Sequence, residues 1–163
     1  MGNRYLAEAQ GIKAAFVPKD LNGAATVGAR VELKDAARCA FVLSVASGAA
    51  ATFIARLKQH DAASGGATKA LSVANAYYVK AAAATIFTKT EPTSSDVIDV
   101  STQFDTDNGV LVLEILASDL DVDGGFNHFS VDMDDAAQVA GRLASGEYHL
   151  HAFEKQPAYD VAL

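Results

Sequence analysis

Basic clusters, disulfide pairs, tryptophan and long apolar runs are all missing from this chain of 163 residues, and each absence closes off a class of function. Thirteen Lys and Arg stand against twenty Asp and Glu, for a net charge of −7, and the cations are scattered. The electrostatic footprint of a nucleic-acid binder is therefore lacking, and direct DNA or RNA binding is not expected. The single cysteine, Cys39, has no partner for an internal disulfide, and its setting in "RCAFVLSV" reads as a buried strand position, not a nucleophile. No apolar run approaches the ~18 residues of a membrane span. The N-terminal "MGNRYLAEAQGIK" has no secretory core, and Leu6 stands where a myristoylation signal wants Ser or Thr. These features predict a protein made in the cytosol and kept there or built into something larger, with no membrane partner. There is no G-x-S-x-G elbow, P-loop or dinucleotide fingerprint, so no catalytic or cofactor-binding residue is put forward and an enzyme is not expected.

What is present is half apolar, but alanine makes up about a fifth of the chain and aromatics only 8%. A core of small side chains is the expectation, with subunit contacts supplying part of the stability. The length suits one domain.

The first ~25 residues, with Gly11, Pro18 and Gly23 among isolated apolar residues, read as an extended arm ahead of a single domain over 26–163. Beyond it the periodicity is two. "CAFVLSVAS" puts Cys39, Phe41, Leu43 and Val45 on one face and Val42 and Ser44 on the other, and "ATFIARLKQHD" alternates Phe53, Ala55 and Leu57 with Ile54, Arg56 and Lys58. Ser47-Gly48 predicts a hairpin between them, and Ser64, Gly65 and Gly66 mark the next break. Strand is predicted for Ala84 to Thr90, with Asn75 to Ala83 open between helix and strand because of the alanine run beside Tyr77, Tyr78 and Val79. "DVIDVSTQF" reads as a strand and Asn108-Gly109 as a tight hairpin. "VLVLEILA" is apolar on both faces except at Glu114, the mark of a strand covered on both sides or lying against a neighbouring subunit. "HFSVDM" points Phe129, Val131 and Met133 one way and His128, Ser130 and Asp132 the other. One short helix is predicted near 135–145, capped by Asp134 or Asp135, with Arg142 near its negative end and Gly146 as its stop, and "EYHLHAF" closes the chain's strands. About eight short strands with turn signals every ~8–12 residues predict an all-β fold, an antiparallel β-sandwich or jelly-roll-like barrel.

Three clusters invite a chemical reading. Asp119, Asp121, Asp123 and Gly124 match the first half of a calcium loop, but the twelfth position is Ser130 where a bidentate glutamate is required, and strands flank the segment where helices should. A glycine-assisted connection between two strands is the preferred reading. His149 and His151 share one strand face and, with His128, have the residue types of a metal site; the same alternation equally turns Tyr148, Leu150 and Ala152 inward and leaves the histidines solvated, and no metal is assigned. Asp96, Asp99, Asp132, Asp134 and Asp135 are acid–base candidates by type, yet nothing in their spacing fixes a pair.

The segment "VLVLEILASDLDVDGGFNHFSVDMDDAAQVAGRLASGEYHLHAFEKQPA", together with the strand, glycine turn, strand unit "ATFIARLKQHDAASGGATKAL", resembles small structural proteins of tailed-bacteriophage virions, most closely capsid decoration (cement) proteins. The resemblance covers roughly half of the chain and rests on strands and turns, so no contact residue carries over. It implies a β-sandwich subunit, a homotrimer or dimer, located on the capsid surface of the virion, that bridges copies of the major capsid protein. A tail or head-to-tail connector component is the alternative within structural proteins, and a metal- or carbohydrate-binding β module is the alternative of another class.

Overall fold

The computed structural model describes residues 10–21, 25–33, 36–48, 52–73, 76–92, 96–134 and 142–152. In chain order the elements are β1 (Gln10–Asp20), β2 (Val31–Glu32), β3 (Ala36–Val45), β4 (Ile54–His60), β5 (Thr68–Ala70), β6 (Tyr77–Ala81), β7 (Thr88–Thr90), β8 (Val97–Asp99), α1 (Ser101–Phe104), β9 (Gly109–Leu116), β10 (His128–Met133) and β11 (Leu143–Ala152). They form two antiparallel sheets, one ordered β1-β11-β3-β9-β6-β7 and the other β2-β10-β4-β5, with β8 pairing β4. The all-β sandwich read from the sequence is what the chain adopts.

The predicted inward faces meet in the core. Cys39, Phe41, Leu43 and Val45 of β3 and Leu111, Leu113 and Ile115 of β9 face Ala55, Leu57, Phe129, Val131 and Met133 of the second sheet, all buried. Tyr148 sits at the centre, its ring centroid 5.7 Å from that of Phe41 and 5.2 Å from that of Phe129. The expected small-residue core is not what forms. Of the described alanines, only Ala15, Ala36, Ala55 and Ala144 belong to the buried core, which is built mainly from Phe, Leu, Val and Ile. Others, such as Ala63, Ala67, Ala82 and Ala83, are exposed in turns.

Several local expectations are corrected. Gln10–Asp20, within the expected extended arm, pairs with β11 along most of its length and buries Ala15 and Phe16, so it is the edge strand of the larger sheet. Ser47-Gly48 is no hairpin, because β3 and β4 belong to different sheets. "DVIDVSTQF" splits into β8 and α1: the Asp99 carboxylate accepts from the Ser101 amide (3.0 Å) and hydroxyl (2.5 Å), a local turn that competes with continued strand. Asn108-Gly109 therefore connects a helix to β9 and does not close a hairpin. Strand within 84–90 is confined to Thr88–Thr90, since Ala84 N–H turns back to the Ala81 carbonyl (2.9 Å). The helix predicted near 135–145 falls largely outside the described residues, but its last part, Leu143 and Ala144, opens β11, paired with Asp20 and Lys19 of β1. Cross-strand pairing there outweighs helix propensity.

Candidate functional site

Among the described residues, a cluster of buried polar side chains lies on the outward side of β4 and β10, where solvated residues were expected. Register brings Arg56 opposite Asp132, Lys58 opposite Ser130 and His60 opposite His128. Yet His60 is only 4% exposed, Ser130 1% and Asp132 7%. The segment leading into β2 runs along the edge of β10 beside them. Thr26 pairs with Met133 and Val31 with Phe129, so residues 27–30 stand opposite 130–132, an extra residue that bulges over the strand. At the bulge the Gly28 N–H donates to the Asp132 carboxylate (3.0 Å) instead of to backbone. A Cβ at Gly28 would fall 2.2 Å from the Val131 carbonyl oxygen, so glycine is dictated by the close approach. The break also leaves the Val131 N–H without a strand acceptor. Tyr148 reaches across from the other sheet and its hydroxyl oxygen accepts that hydrogen at 2.9 Å.

The buried groups form one chain of bonds. Lys58 Nζ lies 2.8 Å from Asp132 Oδ2, and the Ser130 hydroxyl donates to Asp132 Oδ1 at 3.1 Å. With its proton committed there, Ser130 Oγ must accept from His60 Nε2 at 3.0 Å, which fixes the imidazole as the Nε2–H tautomer. Nδ1 then accepts from the Thr68 hydroxyl at 2.8 Å. Burial, with Arg30 adding to it, holds His60 below the usual imidazole range. Serine, histidine and aspartate are thus assembled, but not as a nucleophilic triad. There the carboxylate orients the histidine and the hydroxyl faces substrate; here Asp132 bonds the serine, and Ser130 is sealed from solvent.

The other candidates separate. Asp119 accepts the Leu116 N–H (2.8 Å), and Asp121 accepts the Gly124 N–H (3.0 Å) and pairs with Lys69, while Gly125 turns the chain at φ +87°. Two of the loop's aspartates are occupied as turn chemistry between β9 and β10. His149 and His151 project outward from the larger sheet and His128 from the smaller one, so the three do not converge. His149 Nε2 lies 3.5 Å from Glu147, and burial together with Arg38 holds His151 below the ordinary imidazole value. Among the described residues no group of three or more His, Cys, Asp or Glu is arranged to hold an ion. Asp134 pairs with Arg56 at 2.6 Å and Asp99 ends β8, on opposite borders of β4; Asp96 precedes β8, and Asp135 lies outside the described residues. Burial pushes the Cys39 thiol up to about 12, so it stays protonated at neutral pH. A dent of about 240 Å³ on the larger sheet is lined by Pro18, Val45, Ala46, Leu143 and two serines, with no titratable side chain.

Arg142 was missed. Assigned to the end of a helix, it is instead 1% exposed, donating from Nε to the Ala46 carbonyl (3.0 Å) and from its terminal nitrogens to the carbonyls of Asp105 and Asp107, with its guanidinium over the Phe53 ring. A single arginine in the apolar window "VAGRLASG" was the only available signal.

The outward face of the larger sheet is the remaining surface of note. Val42 of β3 lies between Val112 of β9 and Glu147 of β11, and Val112 is flanked on its other side by Tyr78 of β6. Val110 and Ala40 extend the patch, Ile12, Tyr78 and Leu116 are exposed at its margins, and Arg38–Glu114 (3.5 Å) is an ion pair within it. No protein family, curated protein or solved structure matches the chain.

Proposed function

We propose that this chain is a non-catalytic assembly protein that binds the outer surface of a phage capsid and stabilises it by bridging major capsid protein subunits, using the outward face of its larger sheet. The observation that carries the reading is the composition of that face. An antiparallel sheet with one solvated side alternates apolar and polar residues, but here the outward positions of the two central strands place Ala40, Val42, Val110, Val112 and Leu116 among only three polar ones, Arg38, Ser44 and Glu114. Contiguous apolar surface rimmed by polar groups marks a protein contact. The sequence resemblance to decoration proteins supplies the identity of the partner, and with it self-association into a trimer or dimer. The chemistry is mass action: a protein that binds the expanded shell better than the unexpanded one shifts the equilibrium by its differential affinity, about 2.7 kcal/mol at a concentration 100 times Kd.

The test is to mix purified protein with expanded capsids stripped of accessory proteins and to sediment the shells. Micromolar or tighter co-sedimentation is expected, lost on Val42→Glu with Val112→Glu in a chain that still folds. No binding by the parent chain would overturn the capsid reading, and unaltered binding by the variant would overturn the assignment of the face.

A further inference from the structure

We propose that two copies of this chain pair about a two-fold axis, the apolar tip of the β6–β7 hairpin of each seating in the apolar dent of the other. The proposal rests on the self-association part of the assembly reading and uses nothing of its capsid part. The tip is residues 82–87, "AAATIF", a turn without a charged side chain. Ile86 is 74% exposed and Phe87 45%, with Ala82 and Ala83 exposed on the same turn. Contiguous exposed apolar surface of this kind marks a contact. The tip is also held in shape. β6 and β7 pair through Tyr77–Thr90, Tyr78–Lys89 and Val79–Thr88, the Ala82 N–H donates to the Asn108 carbonyl (2.8 Å), and the Ala84 N–H donates to the Ala81 carbonyl (2.9 Å). A projection fixed in advance has little ordering entropy to lose on docking.

The dent on the same sheet fits it. Its walls are Pro18 of β1, Leu143 and Ala144 of β11, and Val45 and Ala46 at the end of β3, with two serines, and its volume is about 240 Å³. An apolar cavity of about 150 Å³ takes a benzene ring, so the dent has room for the Phe87 side chain. One row of paired residues, Ala81–Gly109–Val45–Ala144, runs across the sheet from the base of the tip to the dent. Tip and dent therefore lie at the same end of the sheet, separated by three inter-strand steps, about 14 Å. That is beyond the reach of a phenylalanine side chain, and neither Ile86 nor Phe87 lines the dent of its own chain. A second copy supplies what the first cannot.

Electrostatics favours the same pairing of surfaces. At a net charge of −7 two copies repel, and contact is least opposed where both surfaces are uncharged, as the tip and the dent are. A half-turn about an axis midway between them, normal to the sheet, brings each tip to the dent of the other copy, so the contact forms twice and closes. The same rotation leaves both outward valine faces on one side of the pair, where they can engage a repeating surface together.

Sedimentation equilibrium of the full chain, with no capsid present, tests this. The parent chain is expected to be a dimer at high micromolar concentration. Ile86→Ser with Phe87→Ser alters only exposed side chains and should weaken dimerisation about tenfold or more, as removal of an interface anchor does. Leu143→Glu, which puts a charge in the dent, should act likewise, and Val122→Ser on the turn before β10 should have no effect. With Phe87→benzoylphenylalanine, irradiation of mixed isotope-labelled and unlabelled protein should join the tip to the segment around Pro18 or Leu143 of the other copy. A monomer, a larger ring, folded tip variants that dimerise like the parent, or a crosslink to another segment would each overturn the proposal. So would a monomer whose tip partitions into phosphatidylcholine vesicles, which would assign the tip to a lipid surface. A monomer that still sediments with stripped shells removes this contact alone, whereas a dimer that fails to bind them removes the capsid reading alone.

Discussion

Tyr148→Phe removes one oxygen atom and should destabilise the fold by an amount set by one backbone hydrogen. The Val131 N–H is buried, its strand neighbour has been displaced by the bulge at 27–30, and its acceptor is the Tyr148 hydroxyl at 2.9 Å. Phenylalanine keeps the ring packed against Phe41 and Phe129, so the hydrophobic and aromatic terms are unchanged. What remains is a buried donor without a partner, worth about 1–3 kcal/mol. For a chain of this size each kcal/mol lowers Tm by roughly 2–4 °C, giving a drop of about 2–12 °C. Chemical denaturation with the slope held constant measures the free energy, and the exchange rate of the Val131 amide reports the site. Gly28→Ala perturbs the same place from the other side, because its methyl would lie 2.2 Å from the Val131 carbonyl. The two changes share a structural cause, so the double variant should lose less than the sum of the singles. A stability change below about 0.5 kcal/mol for Tyr148→Phe, within the range of ordinary surface substitutions, would refute the reasoning.

Two further outcomes follow from the buried groups. Arg142→Lys retains charge but cannot offer a planar fork to the carbonyls of Ala46, Asp105 and Asp107 together, and a loss of about 2–4 kcal/mol is expected in the same denaturation assay from broken charge-assisted bonds. Cys39, fully buried and with its thiol pushed up to about 12, should resist alkylation in the native protein at pH 8 and react at once in denaturant.

The sandwich was legible because its strands alternate cleanly. Phe41 and Leu43 against Val42 and Ser44, or Phe129 and Val131 against His128 and Ser130, state a face directly. What periodicity does not encode is which strand lies beside which: Ser47-Gly48 and Asn108-Gly109 have hairpin chemistry but lead the chain from one sheet to the other or out of a helix. The polar cluster was hidden for a related reason. Ser130 and Asp132 sit at outward positions, which alternation assigns to solvent, yet both are buried, with Lys58 and His60 against them and the Gly28 amide on Asp132 contributed from a hundred residues upstream. Arg142 was misread because its partners are backbone carbonyls distributed over two distant turns. The outward valines were visible in "VLVLEILA", and their side of the sheet is where the sequence first pointed to a neighbouring chain.

The most direct test of the account is radical footprinting of the purified chain free and bound to expanded shells. Tyr78, 40% exposed, and Leu116, 37% exposed, border the valine patch and report its access to solvent. Both are expected to lose reactivity on binding while Val122, on the turn between the sheets, keeps it. Shell-bound protein whose Tyr78 and Leu116 react as in the free state would contradict the claim that this face is the working surface.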